Sequence, residues 1–143
     1  MEFFNLKKLS FLLVWLTHRG DVKVTKKEKI KDMKEVGLLM HINKKEEAIT
    51  LAESLYEKDH NYEASCYLGC LFVNGNKKYN ISKNLEKGRS WLKKGVDQNH
   101  ADSQFFYGLS FLHNAKKSDE YLKAYWWLEK AKDNGSIYSN QIK

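Results

Sequence analysis

Proline is absent from all 143 residues, and glycine occurs only eight times. Without proline nothing forces a break in a helix, and with few glycines the backbone has little freedom for strained turns. Arginine is nearly missing too, with Arg19 and Arg89 alone among 25 basic residues. A diffuse, lysine-based charge with no nucleic-acid motif gives no reason to expect nucleic acid as a partner. Cysteine is limited to Cys66 and Cys70. Four residues apart they share one face of a helix, where disulfide geometry is rarely met, and two thiols alone do not make a zinc site. They are expected to be buried free thiols in a reducing compartment.

Chemistry-bearing clusters are missing as well. His18, His41, His60, His100 and His113 are scattered and form no spaced metal constellation, and no glycine-rich phosphate loop occurs. His60 and His100 are expected to be turn residues. The carboxylates mostly stand among lysines at helical spacing, which is surface pairing worth little per pair. No catalytic residue, no metal, no cofactor and no small-molecule substrate is expected, and the chain is read as a non-enzyme. Long apolar runs are absent too. The stretch Leu9–Leu16 follows Lys7 and Lys8 but is far too short to span a bilayer, and Thr17-His18-Arg19-Gly20 supplies no small-x-small cleavage site. It is expected to be a capping helix, with residues 1–18 retained and the chain cytoplasmic. An exported or membrane-peripheral protein using this run is the alternative reading.

What is present is lysine, glutamate, leucine and aromatics, with 42% hydrophobic residues. That is enough for one core, and it favours helices. The net charge of +7 is uneven: residues 1–60 hold twelve basic and ten acidic residues, residues 61–143 thirteen and eight. The second half thus carries +5, an excess that can steer an acidic partner.

The chain also matches itself. Tyr62-Glu-Ala-Ser-Cys-Tyr-Leu-Gly69-Cys-Leu-Phe72, shifted by 39, lies on Ala101-Asp-Ser-Gln-Phe-Phe-Tyr-Gly108-Leu-Ser-Phe111. Lys87-Gly-Arg-Ser-Trp91-Leu-Lys-Lys94-Gly-Val-Asp97, shifted by 36, lies on Lys123-Ala-Tyr-Trp-Trp127-Leu-Glu-Lys130-Ala-Lys-Asp133. The difference of three falls in the loop Asn74–Lys83, where length changes cost little. Each unit is therefore predicted as helix, loop, helix. The recurrent Gly69 and Gly108 imply a second helix crossing close by. Gly88 with Gly95, and Ala124 with Ala131, put small residues on one face at a spacing of seven, with Trp91 and Trp127 filling the space beside them. As buried framework residues, each tryptophan is expected to cost about 3–5 kcal/mol on truncation to alanine.

Gly108, Phe111 and Glu120-Tyr-Leu-Lys123-Ala-Tyr-Trp-Trp127-Leu-Glu-Lys130-Ala-Lys-Asp-Asn-Gly135 resemble the Sel-like repeat, a relative of the tetratricopeptide repeat. So do Leu68-Gly69, Phe72, Gly75 and Asn84-Leu-Glu-Lys87-Gly-Arg-Ser-Trp91-Leu-Lys-Lys94-Gly. The two copies cover roughly half the chain. They depart from the pattern where Asn114 replaces the loop glycine and Asn99 the glycine that closes the second helix. The resemblance implies an all-α fold: a short right-handed solenoid of antiparallel helix pairs with about seven helices and essentially no strand. The layout within one domain is a capping helix at 1–20, a degenerate pair at 25–60, repeats at 61–100 and 101–136, and a helical stub at 137–143. The degenerate pair is read from Ile30, Met33, Gly37 and Met40 on one helical face and Ala48, Leu51, Ala52 and Leu55 on another.

Positions that match between units belong to the fold; those that differ are free to serve a partner. Tyr125 and Trp126 stand where the sister unit has Arg89 and Ser90, and Phe105 stands where it has Cys66. The family's concave surface adds Phe106 and Tyr67 as binding candidates, and Lys87, Lys93 and Lys123 are expected to speed association with an acidic partner. Members of this family act as adaptors and scaffolds, and some small bacterial ones are immunity proteins that neutralise a toxin. A short stand-alone chain of uneven charge fits that last role best, with a regulatory adaptor as the alternative.

Overall fold

The computed structural model describes residues 32–141, which form six α-helices and a closing 3-10 turn. The helices are α1 (Met33–His41), α2 (Lys45–Asp59), α3 (Tyr62–Asn74), α4 (Leu85–Val96), α5 (Ala101–Leu112) and α6 (Ser118–Asp133); the turn is Ser139–Gln141. Among the described residues the only β pairing is an isolated bridge between Asn76 and Ile81, inside the α3–α4 loop. The described residues are otherwise helical, as the proline-free composition predicts. The capping helix expected over residues 1–20 lies outside the described residues.

Two compact units meet at Leu51/Ala52, within α2. In the first, the Asp32 side chain caps α1 by accepting from the N–H groups of Lys34 and Glu35 at 2.9 and 3.2 Å. Val36 and Met40 are the buried residues of α1, and Ala48 and Leu51 are buried in the first half of α2.

In the second unit the same local devices recur at repeat-related places. Asn61, Asn84 and His100 cap α3, α4 and α5, each accepting from a main-chain N–H three residues on. Left-handed residues end three helices at matching positions: His60 (φ 50°) after α2, Asn99 (φ 57°) after α4 and Gly135 (φ 85°) after α6. The next N–H then reaches back over the last turn, His100 to the Gly95 carbonyl and Ser136 to the Ala131 carbonyl, both at 2.9 Å. Asn99 thus does the work of Gly135, because asparagine tolerates the left-handed region. Asn114 does not take the place of Gly75 in the same way. Gly75 ends α3 with φ 64°, whereas α5 ends without a left-handed residue. His60 and His100 are both turn residues but have different tasks: His60 pairs with Asn99 as a helix closer, and His100 with Asn61 as a cap.

Helix contacts fix the pairing in this unit. Gly69 faces Gly88 and Leu92 while Val73 faces Gly88, so α3 and α4 run antiparallel. Likewise Gly95 lies against Ser103, and Arg89 against Ser110, so α4 and α5 run antiparallel. Helix α6 packs back on α5, with Gly108 against Leu128 and Ala124. The core between these helices holds Val73 of α3, Leu92 and Val96 of α4 and Tyr107 of α5.

The close crossings have a direct cause. A Cβ on Gly88 would lie 2.5 Å from the Val73 main-chain nitrogen, and one on Gly69 would lie 3.0 Å from the Gly88 carbonyl oxygen. The second crossing is looser, since a Cβ on Gly108 would stand 3.0–3.2 Å from Leu128 and the Ala124 oxygen. That slack is what permits Ala124 in the position of Gly88.

The two framework tryptophans are half-buried rather than enclosed, which corrects the sequence reading. Trp91 meets Tyr56 edge-on at 5.8 Å, and Trp127 meets Tyr107 edge-on at 5.4 Å. Lys94 and Lys130 lie over their outer faces at 5.3 and 5.4 Å. Each ring therefore keeps one side toward solvent. Trp91→Ala and Trp127→Ala are expected to lose about 2–3 kcal/mol each, below the range for enclosed aromatics. Urea titration checks this: a midpoint unchanged in both variants refutes the shared framework role.

Candidate functional site

Helix α6 carries an uncovered row. Tyr121, Leu122, Tyr125 and Trp126 are exposed by 45, 71, 62 and 55%, and they sit one turn apart in two pairs. Trp126 stands edge-on to Trp127 at 4.6 Å, and Lys130 lies 4.7 Å above its ring. The Tyr138 ring is placed elsewhere, on Phe105 and Phe106 at 5.8 and 4.9 Å. Trp126 thus stays exposed alongside the described part of the C-terminal segment.

Repeat equivalence explains the exposure. In α4, the counterpart of Tyr125 is Arg89. Its guanidinium donates to the Ser110 hydroxyl and carbonyl at 3.1 and 2.9 Å and lies 3.9 Å over the Phe111 ring. Arg89 is therefore a half-buried stitch between hairpins and not a free anchor. The counterpart of exposed Tyr121 is Leu85, packed against the core, and the counterpart of exposed Lys132 is buried Val96. Where α4 is covered by a following hairpin, α6 is left bare.

The remaining candidates separate. Phe105 is only 4% exposed, held under Tyr138, and offers no surface to a partner in this arrangement. Phe106 and Tyr67 are half-buried. Burial, with Tyr79 adding to it, pushes the Tyr67 phenol up to about 12, so it stays neutral. The lysines are engaged with the fold. Lys87 lies 4.2 Å over Phe72, and its repeat partner Lys123 lies 4.5 Å over Phe111. Lys93 pairs with Asp97 at 2.8 Å one turn on. The match of Lys87 with Lys123 thus reflects a shared aromatic contact, in which the lysine stem covers a ring.

Sequence reasoning located the charge excess only to one half of the chain, and the tertiary structure narrows it further. The stretch 75–90 holds Lys77, Lys78, Lys83, Lys87 and Arg89 against Glu86, and 113–123 holds Lys116, Lys117 and Lys123 against Asp119 and Glu120. Elsewhere in 61–143, basic and acidic residues balance. The two loops meet, with Lys83 Nζ donating to Asn114 Oδ1 at 3.4 Å. The whole +5 of this half therefore gathers at the end where α4 and α6 begin. The Glu120 carboxylate turns back to accept from the N–H groups of Lys116 and Lys117 at 2.7 and 3.1 Å, and these bonds hold its pKa down. The exposed row begins at this same end, with Tyr121 and Leu122.

The titratable groups give little chemistry. Cys66 and Cys70 are free thiols; the hydrogen bond to Cys66 and burial push the Cys70 thiol well above its usual pKa, which makes it a poor nucleophile. Among the described residues no group of three or more His, Cys, Asp or Glu side chains is placed to hold a metal. No helix among them is long and apolar enough to cross a membrane.

His100 is structural. Its Nδ1 accepts from the Ser103 N–H at 3.3 Å and lies 2.7 Å from the Ser103 hydroxyl, and burial lowers its pKa below 6.5. A depressed pKa means the fold disfavours the charged ring. Its contribution is complete above pH 6.5 and is lost as pH falls through the lower folded value. Lowering the pH from 7 to 5 should therefore shift the urea midpoint down. His100→Asn, which copies the Asn61 cap, should flatten that part of the profile; an unchanged slope refutes the assignment.

No protein-family model matches the chain, and no curated protein and no solved structure matches it either.

Proposed function

We propose that this protein is a non-enzymatic protein-binding module, built as a short right-handed solenoid of Sel-like repeat hairpins. In its most concrete form it is a small bacterial immunity-type protein that binds and neutralises an acidic toxin in the cytoplasm. The observation that carries this reading is the bare row on α6. Tyr121, Leu122, Tyr125 and Trp126 stand exposed at positions whose counterparts are covered or polar in the sister repeat. Exposed aromatics of this kind are the usual energetic centre of an interface. The solenoid reading is supported by the matching antiparallel hairpins α3–α4 and α5–α6 and by their common closures at Asn99 and Gly135. The basic end supplies the steering for an acidic surface, so salt should slow association more than it speeds dissociation.

Trp126→Ala tests this reading. With its ring largely outside the core, the variant should melt within about 0.5 kcal/mol of the parent, as surface changes do. It should bind the recovered partner about 2 kcal/mol, or roughly thirtyfold, more weakly. Pull-down with the tagged full chain, followed by titration of the recovered protein, gives both numbers. Unfolding of the variant would make Trp126 a core residue and end the site assignment. Binding unchanged from the parent would exclude α6 as the contact face.

A further inference from the structure

We infer that the bare face of α6 receives an amphipathic helix of the partner, antiparallel to α6, with its acidic residues in the last turn and just beyond. This rests on the reading of α6 as the binding face and specifies what binds there and in which direction.

The α4–α5 junction is the template. There α5 lies antiparallel to α4, with Ser103 of its first turn against Gly95 and Ser110–Phe111 of its last turn against Arg89. From the loop ahead of α4, Lys83 reaches Asn114, two residues past the end of α5. Moved on by one repeat, Gly95 becomes Ala131, Arg89 becomes Tyr125, and the loop ahead of the second helix holds Lys116 and Lys117.

The described residues after α6 fill only the beginning of this next position. Ser136 stands where His100 stood and makes the same back-bond over the last turn. Its hydroxyl bonds Asp102 at 2.9 Å, and Tyr138 settles on Phe105 and Phe106. Further along, Tyr121, Leu122, Tyr125 and Trp126 are uncovered, and they are the part of the face nearest the basic loops. A helix laid there as α5 lies on α4 brings its C-terminal turn to Tyr125 and the residues beyond it to Lys116 and Lys117. The carbonyl end of a helix is itself partly negative, which adds to the attraction of acidic side chains there for these lysines. At the other end of α6 the exposed charges Glu129, Lys132 and Asp133, with half-buried Lys130, cancel, so the net charge lies at the loop end only. That suits a helix whose negative charge is confined to one end better than a phosphate chain charged along its whole length. The repeat geometry sets the direction of the helix, and the basic loops place its acidic end.

The test uses the full chain and two labelled synthetic helices of about 14 residues, roughly four turns. They have the same composition and the same apolar stripe. In one all glutamates lie in the last turns, in the other in the first turns. Fluorescence anisotropy should show the first peptide binding at least about tenfold more tightly. Lys116→Glu with Lys117→Glu should abolish that preference, and Tyr125→Ala, at the position of the covered Arg89, should weaken both peptides. Equal affinities, a preference for the reversed peptide, no binding of either, or tighter binding of polyuridylate RNA at the same salt would each overturn the proposal. The two readings fail separately. If Tyr125→Ala weakens both peptides but they bind alike, α6 stands as the face and the direction falls. If charge reversal changes binding and Tyr125→Ala does not, the binding-face reading itself fails.

Discussion

Gly88→Leu should leave a chain that no longer folds to a stable second unit, with a loss of at least about 3 kcal/mol from a total that for small domains is about 5–15 kcal/mol. The reason is what the new side chain meets. Its Cβ alone would be 2.5 Å from the Val73 main-chain nitrogen and 2.7 Å from the Gly69 carbonyl oxygen. Both belong to helix α3, so neither can turn aside as a side chain could, and relief requires the two helices to separate. Gly69→Leu should behave similarly, since its Cβ would meet the Gly88 carbonyl oxygen at 3.0 Å as well as the Leu92 side chain. Gly108→Ala is the control. Its nearest contacts are 3.0 Å or longer and begin with the flexible Leu128 side chain, so it should cost about 1 kcal/mol, the low end of overpacking. Chemical denaturation of the three variants checks the order. Equal stability of Gly88→Leu and the parent would mean that α3 and α4 do not cross at these glycines.

Leu92→Ala is expected to lose about 3–5 kcal/mol, the upper part of the range for large-to-small changes. Leu92 is fully buried and belongs to the core cluster with Val73, Val96 and Tyr107. Its truncation also leaves the space beside Gly69 unfilled, where no side chain can move in. The repeat partner Leu128 is only half-buried, since among the described residues no further hairpin lies on α6. Leu128→Ala should therefore cost clearly less, about 1–2 kcal/mol, in proportion to the smaller area withdrawn from water. If the two leucines cost the same, the α6 face is covered by something that accounts for the difference, and its reading as a bare binding surface fails.

The internal repeat has a physical cause. Glycine at 69 and 108 and small residues at 88, 95, 124 and 131 can recur together only where helices approach closely, and each of them lies in such a crossing or is buried. Repeat equivalence does not fix the role of a side chain where that role depends on what covers it. Arg89 differs from Tyr125 and so looked free, yet it bonds Ser110 across the hairpin junction. Lys87 and Lys123 match, and each lies over a ring, Phe72 and Phe111, while staying exposed at the basic end. In α1 the helical face around Met33, Gly37 and Met40 omitted Val36, the fully buried residue of that helix. Periodicity gives the direction of a stripe but not which neighbour stands against it.

Composition and spacing by themselves determined the helical class, the two helix–loop–helix units and the places where their helices must touch, because these follow from proline, glycine and small-residue positions acting over one or two turns. Only the tertiary structure decided which residues are open to a partner. The +5 charge became one basic end when the 75–84 and 113–117 loops met at Lys83 and Asn114. Phe105 became core when Tyr138 folded over it, while Tyr125 stayed exposed because no described element lies on α6 as α5 lies on α4. Exposure is a property of what lies across a gap from a residue. Residues that meet across a gap are separated by tens of positions in the chain, so no local pattern records the contact.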